Sequence, residues 1–221
     1  MKQICKLVVM LLLTFTAGVQ AQLVTYPESL NPGIPHNDDY TVRVRIPGGE
    51  WKDLFEYNVQ VDMDNVQKAS MVQFDMGSVV EVMVKKNNGS VREVTIRPLS
   101  KGIEYKQVQN AILFTLEKPQ YLSFEFDGDR LHNLHLFANP LETEKYDKEA
   151  KGIMYFSPGV HRPKDLPNNQ IRIPGNTIVY LAPGAVVKAK LLVDKAENVR
   201  IIGRGILDHP IRGIEVTDSK N

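Results

Sequence analysis

Two acidic clusters are the first candidates for chemistry, because a pair of carboxylates can act as general acid and general base. The first is the stretch 36–39, in which His36 and an asparagine precede Asp38 and Asp39. It lies in a proline-rich segment, where no rigid element is expected to hold two carboxylates at a fixed separation. A solvated turn is therefore the preferred interpretation of this cluster.

The second acidic cluster is formed by Glu125, Asp127 and Asp129, which alternate along the chain. Residues at alternate positions share one face of a strand, so the three carboxylates could converge on a cation such as calcium. Phe124 and Phe126 interleave with them, however, and this alternation is typical of a strand with an apolar inner face and a charged outer face. A solvent-facing strand end followed by a turn is the preferred interpretation.

Two histidines near this cluster, His132 and His135, could in principle bind a metal. A spacing of three suits two metal ligands on a helix, whereas the surrounding leucines indicate a strand or loop. Because no third ligand is evident, the sequence predicts no metal site and no other cofactor.

Aromatic residues offer a different chemistry, because flat apolar rings can stack against sugar rings. Trp51 is the best candidate for such a substrate-binding role, since it follows a Pro-Gly-Gly turn and is expected to be exposed. Phe55 and Tyr57 share their parity with Val59 and Val61, which instead predicts a buried strand face.

Basic residues form a further cluster in the last part of the chain. Lys188 and Lys190 are expected to lie beside Arg200 and Arg204, and Lys188 and Arg204 are candidates for binding an acidic polysaccharide. The alternative is that these are the ordinary outward-facing charges of the fold.

The composition limits what kind of protein could use these residues. The 221 residues contain 27 Lys and Arg against 26 Asp and Glu, a balance that argues against a nucleic-acid-binding protein. Residues 1–21 combine a basic start, an apolar run and small residues before position 22, which predicts a signal peptide and a secreted or periplasmic protein. This segment contains Cys5, the only cysteine, and no run is long enough for a membrane span.

The elements that must position these residues are predicted to be strands. After an extended lead-in at 22–40, short alternating runs over 41–140 predict an antiparallel β-sandwich domain. An Asn-Gly pair at 88–89 predicts a hairpin that joins the runs 80–84 and 91–97.

The charged stretch 141–152 is predicted to be a linker, and a repeating pattern follows it over 153–221. Asparagines recur at positions 176, 198 and 221, and short β-branched runs are separated by Gly, Asn or Pro. A period of about 22 residues indicates stacked repeats, here the first coils of a right-handed parallel β-helix. The alternative is that this part continues the sandwich.

Four segments resemble secreted β-helical polysaccharide hydrolases. They are YFSPGVH at 155–161, VYLAPGAVVK at 179–188, NVRIIGRGIL at 198–207 and FEFDGDRLHNLHLFANP at 124–140. The first three resemble the opening coils of the polygalacturonase family (glycoside hydrolase family 28) and of the related dextranase group (family 49). The last resembles the end of the β-sandwich that precedes the helix in several such enzymes.

The resemblance implies inverting hydrolysis of a polysaccharide, a reaction that needs two carboxylates about 6.5–9.5 Å apart. In the family pattern these carboxylates lie on later coils, so no catalytic residue can be assigned in this sequence. The chain is accordingly expected to be the N-terminal portion of such an enzyme and to be inactive alone. A non-catalytic carbohydrate-binding module and a β-helical polysaccharide lyase remain as alternatives, and the identity of the polysaccharide and the oligomeric state stay open.

Overall fold

The structure is a computed structural model that describes residues 22–26, 33–62, 64–163, 169–208 and 213–219. The predicted signal peptide and Asn221 lie outside these residues. The regular structure of the described chain is almost entirely β, which confirms the predicted all-β class, and a short 3-10 turn lies at Leu99–Lys101. Among the described residues, no helix is long and apolar enough to cross a membrane.

The strands, in chain order, are β1 (Leu23–Thr25), β2 (Tyr40–Arg45), β3 (Lys52–Asp53), β4 (Tyr57–Val61), β5 (Gln67–Met76), β6 (Val80–Lys86), β7 (Val94–Arg97), β8 (Tyr105–Val108), β9 (Ala111–Leu116), β10 (Gln120–Phe126), β11 (Leu134–Pro140), β12 (Ile153–Phe156), β13 (Gly159–His161), β14 (Gln170–Arg172), β15 (Thr177–Leu181), β16 (Ala185–Val187), β17 (Lys190–Asp194), β18 (Val199–Gly203), β19 (Ile206–Leu207) and β20 (Ile214–Thr217).

The strands β1 to β11 form two sheets that share one apolar core. A six-stranded sheet has the order β1-β5-β11-β10-β7 with β4 beside β5, and a five-stranded sheet has the order β3-β2-β6-β9-β8. Alternate residues of both sheets point inward, as the fully buried Val42, Phe74, Ile112 and Phe124 illustrate. We call these strands the two-sheet unit. The stretch predicted as an extended lead-in contributes β1 to its edge.

Two details of the predicted pairing are wrong. The pair β5–β11 is parallel, so the six-stranded sheet is mixed rather than purely antiparallel. The Asn-Gly pair at 88–89 does not join a hairpin, because β6 pairs with β2 and β9 whereas β7 pairs with β10 in the other sheet. Gly89 does adopt a positive φ of 75°. The turn is therefore present, but it leads the chain from one sheet to the opposite one.

The strands from β12 onward form three short parallel sheets, which we call the three-sheet unit. Their orders are β12-β15-β18, β13-β16-β19 and β14-β17-β20, so each sheet takes one strand from each successive turn of the chain. The inward side chains form a second apolar core, with Val179, Val187 and Leu191 fully buried. Each strand pairs in register with the strand one turn later, as parallel backbone hydrogen bonding requires.

The asparagine spacing seen in the sequence coincides with this stacking. Asn176 and Asn198 lie 22 residues apart, and the Asn198 side-chain amide donates a hydrogen bond of 3.0 Å to the Asn176 side-chain oxygen. Both residues have a positive φ, 54° and 55°, a conformation that asparagine tolerates better than most residues. Each asparagine therefore turns the chain into the next strand at the same corner of the unit.

One buried ion pair joins the two units. The Arg204 Nε donates to the Asp75 Oδ1 at 2.7 Å, and the two side chains are only 14% and 3% exposed. The Arg204 Nη2 also donates to the Pro140 carbonyl at 2.7 Å, and the Gln73 side chain donates to the Arg204 carbonyl at 2.8 Å. The turn after β18 is thus bonded to the six-stranded sheet through both its backbone and its side chain.

A glycine immediately before Arg204 permits this turn. Gly203 has a φ of +125°, and a Cβ at this position would lie 2.0 Å from the Leu181 carbonyl oxygen. Gly159 has the same φ of +125°, but a Cβ there would meet nothing within 4 Å. The two positions differ only in how closely a neighbouring turn approaches.

This difference predicts different effects of the same substitution. Gly159→Ala should lower the free energy of unfolding by about 1–3 kcal/mol, the cost of the unfavourable φ alone. Gly203→Ala should cost more than about 4 kcal/mol, because the Leu181 backbone must also move. Urea unfolding of both variants measures the difference, and equal costs would show that the close approach at Gly203 is not a constraint.

A second prediction concerns the ion pair. Arg204→Met should lower the free energy of unfolding by about 3–5 kcal/mol, because it leaves the Asp75 carboxylate buried and unpaired. Arg200→Met is the matched control, since Arg200 is 55% exposed and lies 3.6 Å from an exposed Glu144, an arrangement usually worth less than about 1 kcal/mol. Adding Asp75→Asn to Arg204→Met should restore part of the loss. Equal destabilisation by the two single substitutions would contradict the assigned role of the buried pair.

Candidate functional site

The predicted sugar-stacking residue Trp51 lies on the outer side of the five-stranded sheet. The Arg45 guanidinium sits over its ring, 4.3 Å from the ring centroid, and Arg45 also pairs with Glu81. A cation over an aromatic face is a favourable contact, so this face of the Trp51 ring is already covered. The role of Trp51 in substrate binding stays a prediction.

The predicted basic cluster is distributed over separate ion pairs. Lys188 pairs with Asp208, Lys190 with Glu215 and Arg200 with Glu144. Arg204 pairs with Asp75 in the junction between the two units. The structure therefore does not bring Lys188 and Arg204 together with Trp51. Each of the four basic side chains instead forms an ion pair with a different acidic side chain.

The stretch 36–39 contributes to a buried carboxylate rather than to an acid pair. The His36 Nε2 lies 3.1 Å from Glu56, whose other oxygen accepts a hydrogen bond of 2.6 Å from the Val42 backbone N–H. Burial raises the pKa of Glu56, while these two hydrogen bonds oppose the rise. Asp39 donates its backbone N–H to the Asn37 side chain, which is a local turn contact.

The second acidic cluster does not converge. Glu125 pairs with Arg97 at 2.5 Å, whereas Asp127 accepts hydrogen bonds from the backbone N–H groups of Arg92 and Glu93. Asp129 accepts from backbone groups at 131 and 132 and from the His132 ring. Within the described part of the chain, no group of three or more His, Cys, Asp or Glu side chains is arranged to hold a metal ion.

A depression of the surface lies on the outer face of the six-stranded sheet. On β10 and β11, Leu122, Phe124, Leu134 and Leu136 point into the core, so the alternate residues point outward. Tyr121 and Phe137 are cross-strand partners on this outer face, with ring centroids 5.3 Å apart and an interplanar angle of 62°. Tyr121 is 57% exposed.

Two connected cavities share these two rings. One, of about 520 Å³, extends toward the corner at Pro98 and Leu99. The other, of about 440 Å³, extends across the sheet to the turn 203–207 of the three-sheet unit. Together they form a groove that we call the outer-sheet groove. Its lining residues are Met71, Gln73, Arg97, Pro98, Leu99, Tyr121, Leu122, Ser123, His135, Phe137, Asn139 and residues 203–207.

The charges that border the outer-sheet groove are internally balanced. Arg97, near one end, pairs with Glu125, which also lies 3.9 Å from Arg130, and Arg204, at the other end, pairs with Asp75 and lies 3.6 Å from Glu142. Burial lowers the pKa of His135 below its usual value, so its ring is neutral at neutral pH. The groove therefore presents aromatic, aliphatic and uncharged polar surface.

Sequence reasoning missed Tyr121 and Phe137, although a signal for them exists. Tyr121 has the opposite parity to Leu122 and Phe124, and Phe137 has the opposite parity to Leu136. An aromatic residue on the outward parity of a strand is a candidate for a binding surface. That the two residues are neighbours follows only from the pairing of β10 with β11.

The outer-sheet groove can bind an elongated ligand, but its own side chains are poorly suited to hydrolysis. Acid and base catalysis needs two carboxylates that face the substrate across a gap. Glu125 and Asp75, which pair with the two arginines of the groove, are buried, and Glu142 lies 3.6 Å from Arg204. The arrangement therefore supports recognition rather than bond cleavage.

Comparison with known proteins yields a likeness of fold. No family model matches the chain, and no curated protein matches it. Among solved structures, Dex49A from Penicillium minioluteum is similar, with a TM-score of 0.61 and 21% sequence identity. The match covers 82% of this chain and 47% of Dex49A, so the chain spans about half the length of that protein. At this identity the likeness shows that the two proteins share a fold.

Proposed function

We propose that this chain is the N-terminal part of a secreted β-helical glycoside hydrolase that cleaves a polysaccharide. In this proposal the two-sheet unit is a β-sandwich and the three-sheet unit is the start of a right-handed parallel β-helix. The observation that carries the proposal is the stack of three parallel sheets, in which strands of successive turns pair in register. The shared fold with Dex49A, a name that designates a family 49 dextranase, supports the same interpretation.

The edge strands of the three-sheet unit support the presence of further coils in the functional protein. In the described part of the chain, β18, β19 and β20 each pair with an earlier strand on one side only. Unpaired parallel strand edges are usually covered by further strands or by a cap. We infer that the catalytic carboxylates are carried by such coils, as in the families that the sequence resembles. Export is proposed on the pattern of residues 1–21 alone.

A non-catalytic carbohydrate-binding protein is the second candidate. The outer-sheet groove favours it, because exposed aromatic rings beside uncharged polar groups can bind sugars without cleaving them. The two candidates differ in one measurable property, the release of new reducing ends.

A reducing-sugar assay tests the proposal. The chain of residues 22–221 should release no reducing sugar from dextran or polygalacturonate, because the carboxylates at its groove are tied to arginines. The native protein, purified from the organism that encodes it, should release reducing sugar from one of these polymers. Binding without release by the native protein would favour the non-catalytic candidate, and unsaturated products detected by ultraviolet absorbance would indicate a lyase.

A further inference from the structure

We propose that the outer-sheet groove binds an uncharged polysaccharide chain, whose sugar rings stack on Tyr121 and Phe137. The proposal rests on the proposed function in one respect, that the ligand is a polysaccharide. It places a binding site on the outer face of the six-stranded sheet and the adjoining turn 203–207, and it specifies the chemical class of the polymer.

The exposure and geometry of the Tyr121 and Phe137 rings suit them to contact with a sugar ring. Tyr121 is 57% exposed and pairs with Phe137 of β11, whereas β7 pairs only with the later residues 123–126 of the same strand. Its ring meets Phe137 at 62°, so the two rings touch edge to face and do not cover each other by parallel stacking. Aromatic surface that remains open in this way is suited to the C–H face of a sugar ring.

The length of the groove favours an elongated ligand. The two cavities, of about 520 and 440 Å³, meet at Tyr121 and Phe137 and extend from there in opposite directions. One reaches Leu99, which is 67% exposed, and the other reaches Gly205 in the three-sheet unit. A ligand centred on the two rings can occupy both cavities only if it is elongated. This shape favours several linked sugars over a single monosaccharide.

The charges of the residues that line the groove favour an uncharged ligand. A uronate polymer carries a carboxylate on every sugar and would need bases that are not already paired. Among the described residues that line the groove, the two arginines are offset by Glu125 and Asp75. The remaining polar lining is uncharged. Ser123 accepts a hydrogen bond from Asn133, and the Gln73 amide donates to the Arg204 carbonyl, so the Ser123 hydroxyl hydrogen and the Gln73 side-chain oxygen are the groups that suit sugar hydroxyls.

The basic cluster that the sequence predicted as a site for an acidic polymer is paired as well. Lys188, Lys190 and Arg200 each face an acidic side chain. An uncharged glycan can bind without an unpaired basic side chain. Burial lowers the pKa of His135, so the groove adds no positive charge there at neutral pH. Charge complementarity therefore selects a neutral polysaccharide.

Affinity electrophoresis of the purified chain tests this site. Native gels containing dextran, pullulan or galactomannan serve as neutral probes, and gels containing polygalacturonate serve as the charged probe. At least one neutral polymer should retard the chain, whereas polygalacturonate should not. Tyr121→Ala and Phe137→Ala should each weaken binding to that polymer by about tenfold, the upper range for loss of one aromatic contact.

Tyr105→Ala is the matched control, because it removes a partly exposed aromatic side chain from the five-stranded sheet, away from the groove. It should change the affinity less than about twofold, and thermal unfolding of each variant checks that the fold is retained. Stronger retardation by polygalacturonate, no retardation by any neutral polymer, or equal binding by Tyr121→Ala and the unsubstituted chain would overturn the site. Self-association that is abolished by Tyr121→Ala, in the absence of glycan binding, would instead identify the groove as an interface between copies.

The two proposals can fail separately. A native protein that releases no reducing sugar, together with a chain that binds a neutral polymer through Tyr121, refutes the hydrolase and supports the site. A native protein that hydrolyses polysaccharide, together with a chain that no neutral polymer retards, refutes the site and supports the hydrolase.

Discussion

The buried ion pair between Asp75 and Arg204 is the contact on which the arrangement of the two units depends. Removing two charges from water is costly, and the attraction between them compensates only when their remaining hydrogen-bonding groups are satisfied. Here the Arg204 guanidinium also donates to the Pro140 carbonyl, and the Tyr26 hydroxyl bonds Asp75. These partners come from β5, the end of β11 and the turn after β18, so Arg204 bonds three parts of the structure together.

The backbone around Arg204 is shaped to bring the side chain to this position. Gly203 and Gly205 flank it, and a Cβ on either would collide with backbone oxygens of the preceding turn, at 2.0 Å for Leu181 and 2.8 Å for Ala185. The turn therefore packs directly on its neighbour, and the intervening side chain points to the six-stranded sheet. The same turn forms one end of the outer-sheet groove, so the contact that joins the units also limits the groove.

The sequence allowed local structure to be predicted better than long-range pairing. The spacing of Asn176 and Asn198 anticipated the stacked turns, because both residues repeat the same corner conformation. The partner of Arg204 could not be predicted, since Asp75 lies 129 residues earlier and no local pattern relates them. Likewise the Asn-Gly pair at 88–89 specifies a turn but not which sheet the chain enters next. The groove was missed for the same reason, because Tyr121 and Phe137 meet only through strand pairing.

Stacking of parallel strands also accounts for the pairing of outward charges in the three-sheet unit. Successive strands lie only about 4.8 Å apart, so outward charges of equal sign on neighbouring turns would repel each other. The three-sheet unit instead pairs bases with acids of the next turn, as in Arg172 with Asp194 and Lys188 with Asp208. These charges are consequently used in holding turns together. A ligand that relied on them would have to compete with that pairing, whereas a ligand that stacks on Tyr121 and Phe137 leaves it intact.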